Sequence, residues 1–184
     1  KKTVGNLLLF VTAMIWGSSF VAQSTSTEHV GAYTFNAARS FVGFLALLVV
    51  VQIFKMLRKE PPAEQTAAEK KAGRRDLILG GICCGIALAL ACNLQQLGMV
   101  AGASAGKTSF ITTLYVVLVP ICGLFLKKKV SPTVWISVLL AVAGLYCLCI
   151  KEDFTFAPSV LLVMLCAFGY TLHILVIDYF TQRV

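Results

Sequence analysis

Acidic side chains are scarce in this sequence: Asp and Glu number 8 against 16 Lys and Arg, and charged residues make up 13% of the chain. No carboxylate falls deep inside any of its long apolar runs. Proton relays through membranes generally use a buried acid. Proton coupling would therefore need an acid from elsewhere or His173 in its place; the alternatives are a uniporter or an exchanger. The signatures of catalysis are missing too: no HExxH, no paired carboxylates, no nucleophile elbow and no phosphate loop. No catalytic residue is assigned, an enzyme is not expected and no cofactor is implied. The seven cysteines (Cys83, Cys84, Cys92, Cys122, Cys147, Cys149 and Cys166) all lie in apolar runs. Cys147 and Cys149 lack the two-residue gap of a zinc or redox motif, and no ligand-spaced histidine pair accompanies them. They read as small packing residues, with no metal site and no disulfide framework. A cleavable signal is also missing, because the first run has no small-residue cleavage pattern and further spans follow it. The chain starts KKTVGN and stops just after an apolar run, so both ends are expected to be cut from something longer.

What the sequence has in quantity is hydrocarbon. Hydrophobic residues make up 58%, the mean hydropathy is +0.85, and the charged fraction is well below the roughly 25% of soluble domains. Apolar runs fall at about 4–24, 33–54, 77–98, 105–126, 132–150 and 158–179, each long enough for a tilted membrane-spanning helix. The expected fold is all-α, a polytopic transmembrane bundle of six spans. Short connections at 25–32, 99–104, 127–131 and 151–157 make consecutive helices antiparallel neighbours. The long connection 55–76, rich in charge and holding Pro61 and Pro62, reads as a solvated linker with some helix around Ala63–Ala72. The net charge of +8 does not imply nucleic acid, since the charges cluster between spans and do not stripe a face. Lys1, Lys2, the basic residues of 55–75, Lys127 to Lys129 and Arg183 share one side, leaving Lys151 on the other. That bias places the basic side and the N-terminus in the cytoplasm. The basic linker is either an orientation signal alone, the favoured reading, or also a contact for anionic lipid.

Polar groups in hydrocarbon are costly unless paired or wet, so their placement is informative. The run Lys107–Leu126 carries Thr108, Thr112 and Tyr115 on one side, and Pro120 is expected to bend it. Arg39 lies two turns into the second run, close to Asn36, Ser40 and Gly43. It is either a fixed positive charge facing a cavity, suited to a carboxylate or phosphate, or a snorkelling brace. Lys107 has the same alternatives. Asn93 and Gln96 share a face of the third run beside Gln95, for solute contact or interhelical hydrogen bonding. Trp16, Ser19 and Gln23 align in the first run, with Trp16 too deep for an interface belt and Tyr115 a matching aromatic surface. His173 is either a titrating group or a packing residue. Gly81, Gly85 and Ala89 form a small-residue step for close helix approach, and Gly98, Gly102 and Gly106 could absorb an angular change.

An internal repeat is visible at an offset of 154 residues, where Ala13 meets Ala167 and Trp16 meets Tyr170. Five helices separate the starts of the copies, so they run in opposite directions, a recurring plan of secondary transporters. In order, MIWGSSFVAQ, TFNAARSFVGFLALL, SAGKTSFITTLYVVLVP and WISVLLAVAGLYCL, followed by a restarting sixth helix, resemble the EamA family of the drug/metabolite transporter superfamily. The likeness covers nearly the whole chain apart from the linker. It implies two inverted five-helix units with both ends cytoplasmic: residues 1–150 resemble the first unit and 158–184 the first helix of a truncated second. Lys127, Lys128 and Lys129 depart from the pattern, because members often carry an acidic residue there. The expectation is a multi-pass plasma (inner) membrane carrier, working by alternating access on small metabolites or drugs, with anionic or zwitterionic solutes such as amino acids favoured by Arg39. Arg39, Asn36, Trp16, Ser19, Asn93, Gln96, Lys107, Thr112, Tyr115 and His173 are the expected solute-binding residues. Expected partners are a small-molecule solute and membrane lipid, with a homodimer as an option and no nucleic acid. The alternative is a membrane scaffold or assembly subunit that transports nothing.

Overall fold

A computed structural model of the chain describes residues 2–57, 66–127, 130–149 and 157–183. Among them the secondary structure is helical throughout: α1 (Lys2–Ser26), α2 (Ala32–Leu57), α3 (Ala67–Val100), α4 (Ala105–Thr113), α5 (Tyr115–Phe125), α6 (Pro132–Cys149) and α7 (Pro158–Thr181). By length and composition, Thr3–Ser26, Ala32–Leu57, Lys71–Val100, Ala105–Phe125 and Pro158–Thr181 can each cross a membrane, and α6 is apolar over Pro132–Gly144. The fold is a polytopic helical bundle. Part of the linker, residues 58–65, together with the lysines at 128 and 129 and the 151–156 connection, falls outside the described residues. The rest of the linker, from Ala67, joins α3 without a break. Its alanines, glutamate and lysines are good helix formers, so the charged segment extends the spanning helix by several turns.

The fourth run is two helices. Leu114 bonds back to Ile111 O, three residues away, and separates α4 from α5. The interruption comes six residues before Pro120, which lies within α5. Two hydroxyls back-bond just before it: Thr113 Oγ1 donates to Ser109 O at 2.7 Å and Ser109 Oγ to Gly106 O at 2.9 Å. Such back-bonding competes with the backbone ladder and bends helices. Between α3 and α4 the chain turns in a Schellman motif, with Gly102 at φ 99° and Ala103 N–H bonded to Gly98 O. Ser104 then caps α4, its Oγ accepting from Lys107 N–H at 3.1 Å.

The best-packed part of the bundle is the antiparallel pair α3 and α7. Their contacts run the length of both helices, with Gly98 against Val163 and Ser159, Ala91 against Gly169, and Gly80 against Phe180. Small residues let the backbones approach where lipid supplies no hydrophobic drive. The expected step at Gly81 and Gly85 does not serve this contact, since a Cβ at either position meets nothing within 4 Å. Those two lie one residue, about 100° of helix azimuth, away from the face that α7 covers. On its other flank α7 packs against α4 and α5, where Ala103, Ile111, Val160 and Val163 form a buried cluster. α6 adjoins α5. Helices α1 and α2 join this body near Gln23–Ser26 and Ala32–Arg39, and elsewhere present exposed apolar faces such as Leu7, Phe10, Phe41 and Leu48.

A methyl group at Gly98 would sit 2.5 Å from Val163 Cγ2 and 3.1 Å from Ser159 O. Overpacking of this kind costs about 1–3 kcal/mol. Gly98→Ala is therefore expected to lower the melting temperature in detergent, while Gly85→Ala, in open space, leaves it unchanged or raises it slightly.

Candidate functional site

Residues 92–96 of α3 read Cys-Asn-Leu-Gln-Gln, four polar or thiol side chains in just over one helical turn. Successive residues point about 100° apart, so these groups cannot all face one neighbour. They reach four helices instead. Toward α2, Asn36 Nδ2 donates to Cys92 O at 3.1 Å and to Asn93 Oδ1 at 3.2 Å. Asn93 donates in turn to Ala89 O, which leaves its oxygen facing Asn36. Arg39 donates to Asn36 Oδ1 at 3.0 Å, one turn along α2, and its guanidinium carbon lies 5.5 Å from the centre of the Phe35 ring. The ion pair found among the described residues is Arg75–Asp76, so within them Arg39 has neutral partners only.

Toward α7 and α4, Tyr170 OH donates to Gln95 Oε1 and lies beside Cys92 Sγ, both at 3.4 Å. Gln95 Nε2 donates to Thr112 Oγ1 at 2.9 Å, and Thr112 is 3.8 Å from Cys166 Sγ. The Tyr115 ring, in the first turn of α5, lies 6.3 Å from that of Tyr170 at an interplanar angle of 49°. Toward α1, Gln96 Nε2 donates to Gln23 O at 3.2 Å and to Ser26 Oγ at 3.5 Å. The arrangement offers one permanent cation, several neutral hydrogen-bonding groups and two tyrosine rings.

Six of the expected residues thus lie on arms of one network: Arg39, Asn36 and Asn93 on one, Thr112 and Tyr115 on the second, and Gln96 on the third. The other four lie outside it or at its edge. Trp16 is 51% exposed, and Ser19 donates to Trp16 O within α1 while accepting from Gln23 Nε2. Lys107 stands in the first turn of α4. His173 bonds through Nδ1 to Cys84 O at 3.1 Å, eight residues from Cys92 along α3, or about 12 Å. A carbonyl only accepts, so Nδ1 carries the proton there.

Gln95, Tyr170, Cys92, Cys166 and Gln23 were not among the expected binding residues. Gln95 adjoins Gln96, and Tyr170 is the repeat counterpart of Trp16, so both had a signal in the sequence. Cys83, Cys84, Cys92, Cys122 and Cys166 are free thiols. Nothing in the sequence sets Cys92 and Cys166 apart from the others.

If Gln95 joins α3 to both α7 and α4, removing it makes the Tyr170 hydroxyl redundant. A double-mutant cycle of Gln95→Leu and Tyr170→Phe, read from unfolding in detergent, is expected to give a coupling energy of about 0.6 kcal/mol. Additive effects would mean that the 3.4 Å contact contributes nothing.

The profile of the EamA-like transporter family matches residues 3–150. An uncharacterized transporter from Archaeoglobus fulgidus is 27% identical over 183 residues, covering 99% of this chain and 51% of its own length. The chain therefore spans about half the length of the curated relative it matches. No solved structure matches it significantly. With most of the chain matched and a bundle of membrane-length helices carrying the match, the protein belongs to the EamA-like transporter family and is a multi-pass membrane protein.

Proposed function

We propose that this transporter carries small anionic or zwitterionic metabolites, amino acids among them, and that the network centred on Cys92–Gln96 is where the solute binds. The observation that carries this proposal is Arg39. Its guanidinium lies within a spanning helix and, among the described residues, is met by an amide oxygen and an aromatic face but by no carboxylate. A cation in a membrane is costly without a counter-charge, and a carboxylate accepts a bidentate bond from guanidinium. Asn36 and Asn93 hold Arg39 in register with α3. Tyr115 and Tyr170 offer the apolar surface for the body of the solute.

Transport proceeds by alternating access, with residues 1–150 forming one unit and 158–184 opening a second, inverted one. The break at Leu114 and the Gly102 turn are the points where α4 can change angle relative to α3 and α5. The protein sits in the plasma (inner) membrane with its N-terminus in the cytoplasm, in keeping with the bias of Lys and Arg. A scaffold would use the same contacts for packing alone and would gain no stability from a solute.

Arg39→Ala in the full-length protein is expected to insert normally and to lose transport of acidic and zwitterionic solutes by roughly tenfold to a hundredfold, the scale of a lost charge-assisted bond. Arg39→Lys keeps the charge without the fork and is expected to fall between. Uptake or efflux at the wild-type rate from correctly inserted Arg39→Ala would remove Arg39 from the site.

A further inference from the structure

Gln23 and Gln96 are 3% and 0% exposed, and their amide orientations are fixed by what surrounds them. Gln96 Nε2 faces Gln23 O and Ser26 Oγ. Ser26 Oγ gives its own proton to Gln23 O at 2.7 Å, so toward Gln96 it only accepts. Gln23 Nε2 faces Ser19 O at 3.2 Å and Ser19 Oγ at 3.5 Å, and Ser19 has already donated to Trp16 O. Rotating either amide by half a turn would set its oxygen against acceptors. Each nitrogen is therefore satisfied, and each Oε1 is left buried with no donor among the described residues. Thr108 Oγ1, on a residue 0% exposed, is in the same position. Other hydroxyls of these helices, including those of Thr12, Ser109, Thr113 and Thr171, donate to a carbonyl three or four residues back.

The three residues lie near the ends of three helices on one side of the bundle. Gln23 is three residues before the end of α1, Gln96 four before the end of α3, and Thr108 three after the start of α4. α3 and α4 are joined by the tight Gly102 turn, α1 touches α4, and Gln96 bonds to α1. Buried acceptors without a donor destabilise a fold unless something positive meets them. The C-terminal ends of α1 and α3 add the negative pole of two dipoles here, against the positive pole at the start of α4. The donor set is all neutral oxygen, without carboxylate, imidazole or thiolate. That composition suits a hard ion of single charge better than a divalent ion, which takes carboxylates, or a transition metal.

We propose that Gln23 Oε1, Gln96 Oε1 and Thr108 Oγ1 form a site for a monovalent cation of the sodium class, held between α1, α3 and α4. All three groups are closed off from the surface, so the site excludes anything as large as a metabolite. The ion would tie the end of α1 to the α3–α4 turn. It shares Gln96 with the Cys92–Gln96 network but uses neither Arg39 nor the tyrosines, so a variant of Arg39 separates it from the solute site.

The test is thermal unfolding of the purified full chain in detergent, in sodium, potassium, lithium or choline chloride at one ionic strength. A saturable rise in melting temperature with sodium over choline is expected. Thr108→Val keeps the shape and removes one ligand; it is expected to raise the sodium midpoint about tenfold. Gln96→Glu adds a charge and is expected to lower that midpoint and to introduce a response to calcium, which a purely structural glutamine would not do. Arg39→Ala, the variant that tests the solute site, keeps the sodium response, so the two proposals fail separately. Identical melting of the wild type in all four salts, with Thr108→Val unchanged, overturns the proposal and leaves the three oxygens to ordered water.

Discussion

A lipid interior gives a polar side chain no water to turn to, and α3 places four such groups within residues 92–96. Everything around that turn follows from the need to satisfy them. α2 meets it with Asn36, α7 with Tyr170, α4 with Thr112, and α1 with the carbonyl of Gln23. Apolar packing in a membrane cannot by itself choose among neighbours, because lipid tails are as greasy as leucine. Directional bonds from one short segment can. Small residues at Gly80, Ala91, Gly98 and Gly169 then allow α3 and α7 to close along their length.

The same need sets Arg39 apart from the rest of the network. A group that is fully satisfied within the protein gains little by meeting one. Arg39 is different, because an amide oxygen and a ring face leave most of its donors and all of its charge unanswered among the described residues. Gln95 and Thr112, by contrast, are buried and bonded to each other, and they act as the frame. The twin tyrosines stand next to that frame. Charge on α2, frame on α3 and α4, and aromatic surface on α5 and α7 are the three parts of the recognition surface proposed above.

The spans were legible because length and apolarity alone decide them: a run such as 158–179 has few other fates. Neighbours were only partly legible: short connections were expected to pair consecutive helices, yet α1 packs on α4 rather than on α2, and α7 packs on α3, α4 and α5 rather than on α6. Azimuth was not. Gly81 and Gly85 looked suited to helix contact, yet Gly80 and Gly98 make it, and the difference is one residue around the helix. Nor did proline mark the break in the fourth run, which falls at Leu114 while Pro120 lies within α5. Polar residues inside hydrocarbon were informative because few are tolerated there without a partner, and Arg39, Asn36 and Asn93 do converge. Trp16 and Tyr170 show the limit of that reasoning. They match across the internal repeat, but one is half exposed while the other is bonded to α3, and composition cannot tell which copy faces inward.

The central claim is that α3 turns Asn93 toward a solute path and away from lipid. Its most direct measurement is the rate at which a membrane-impermeant thiol reagent labels Asn93→Cys in a background without native cysteines, compared with Leu90→Cys on the exposed apolar face. The account predicts faster labelling at 93, slowed by a transported solute. Labelling at 93 no faster than at 90, and indifferent to every solute tried, would contradict it.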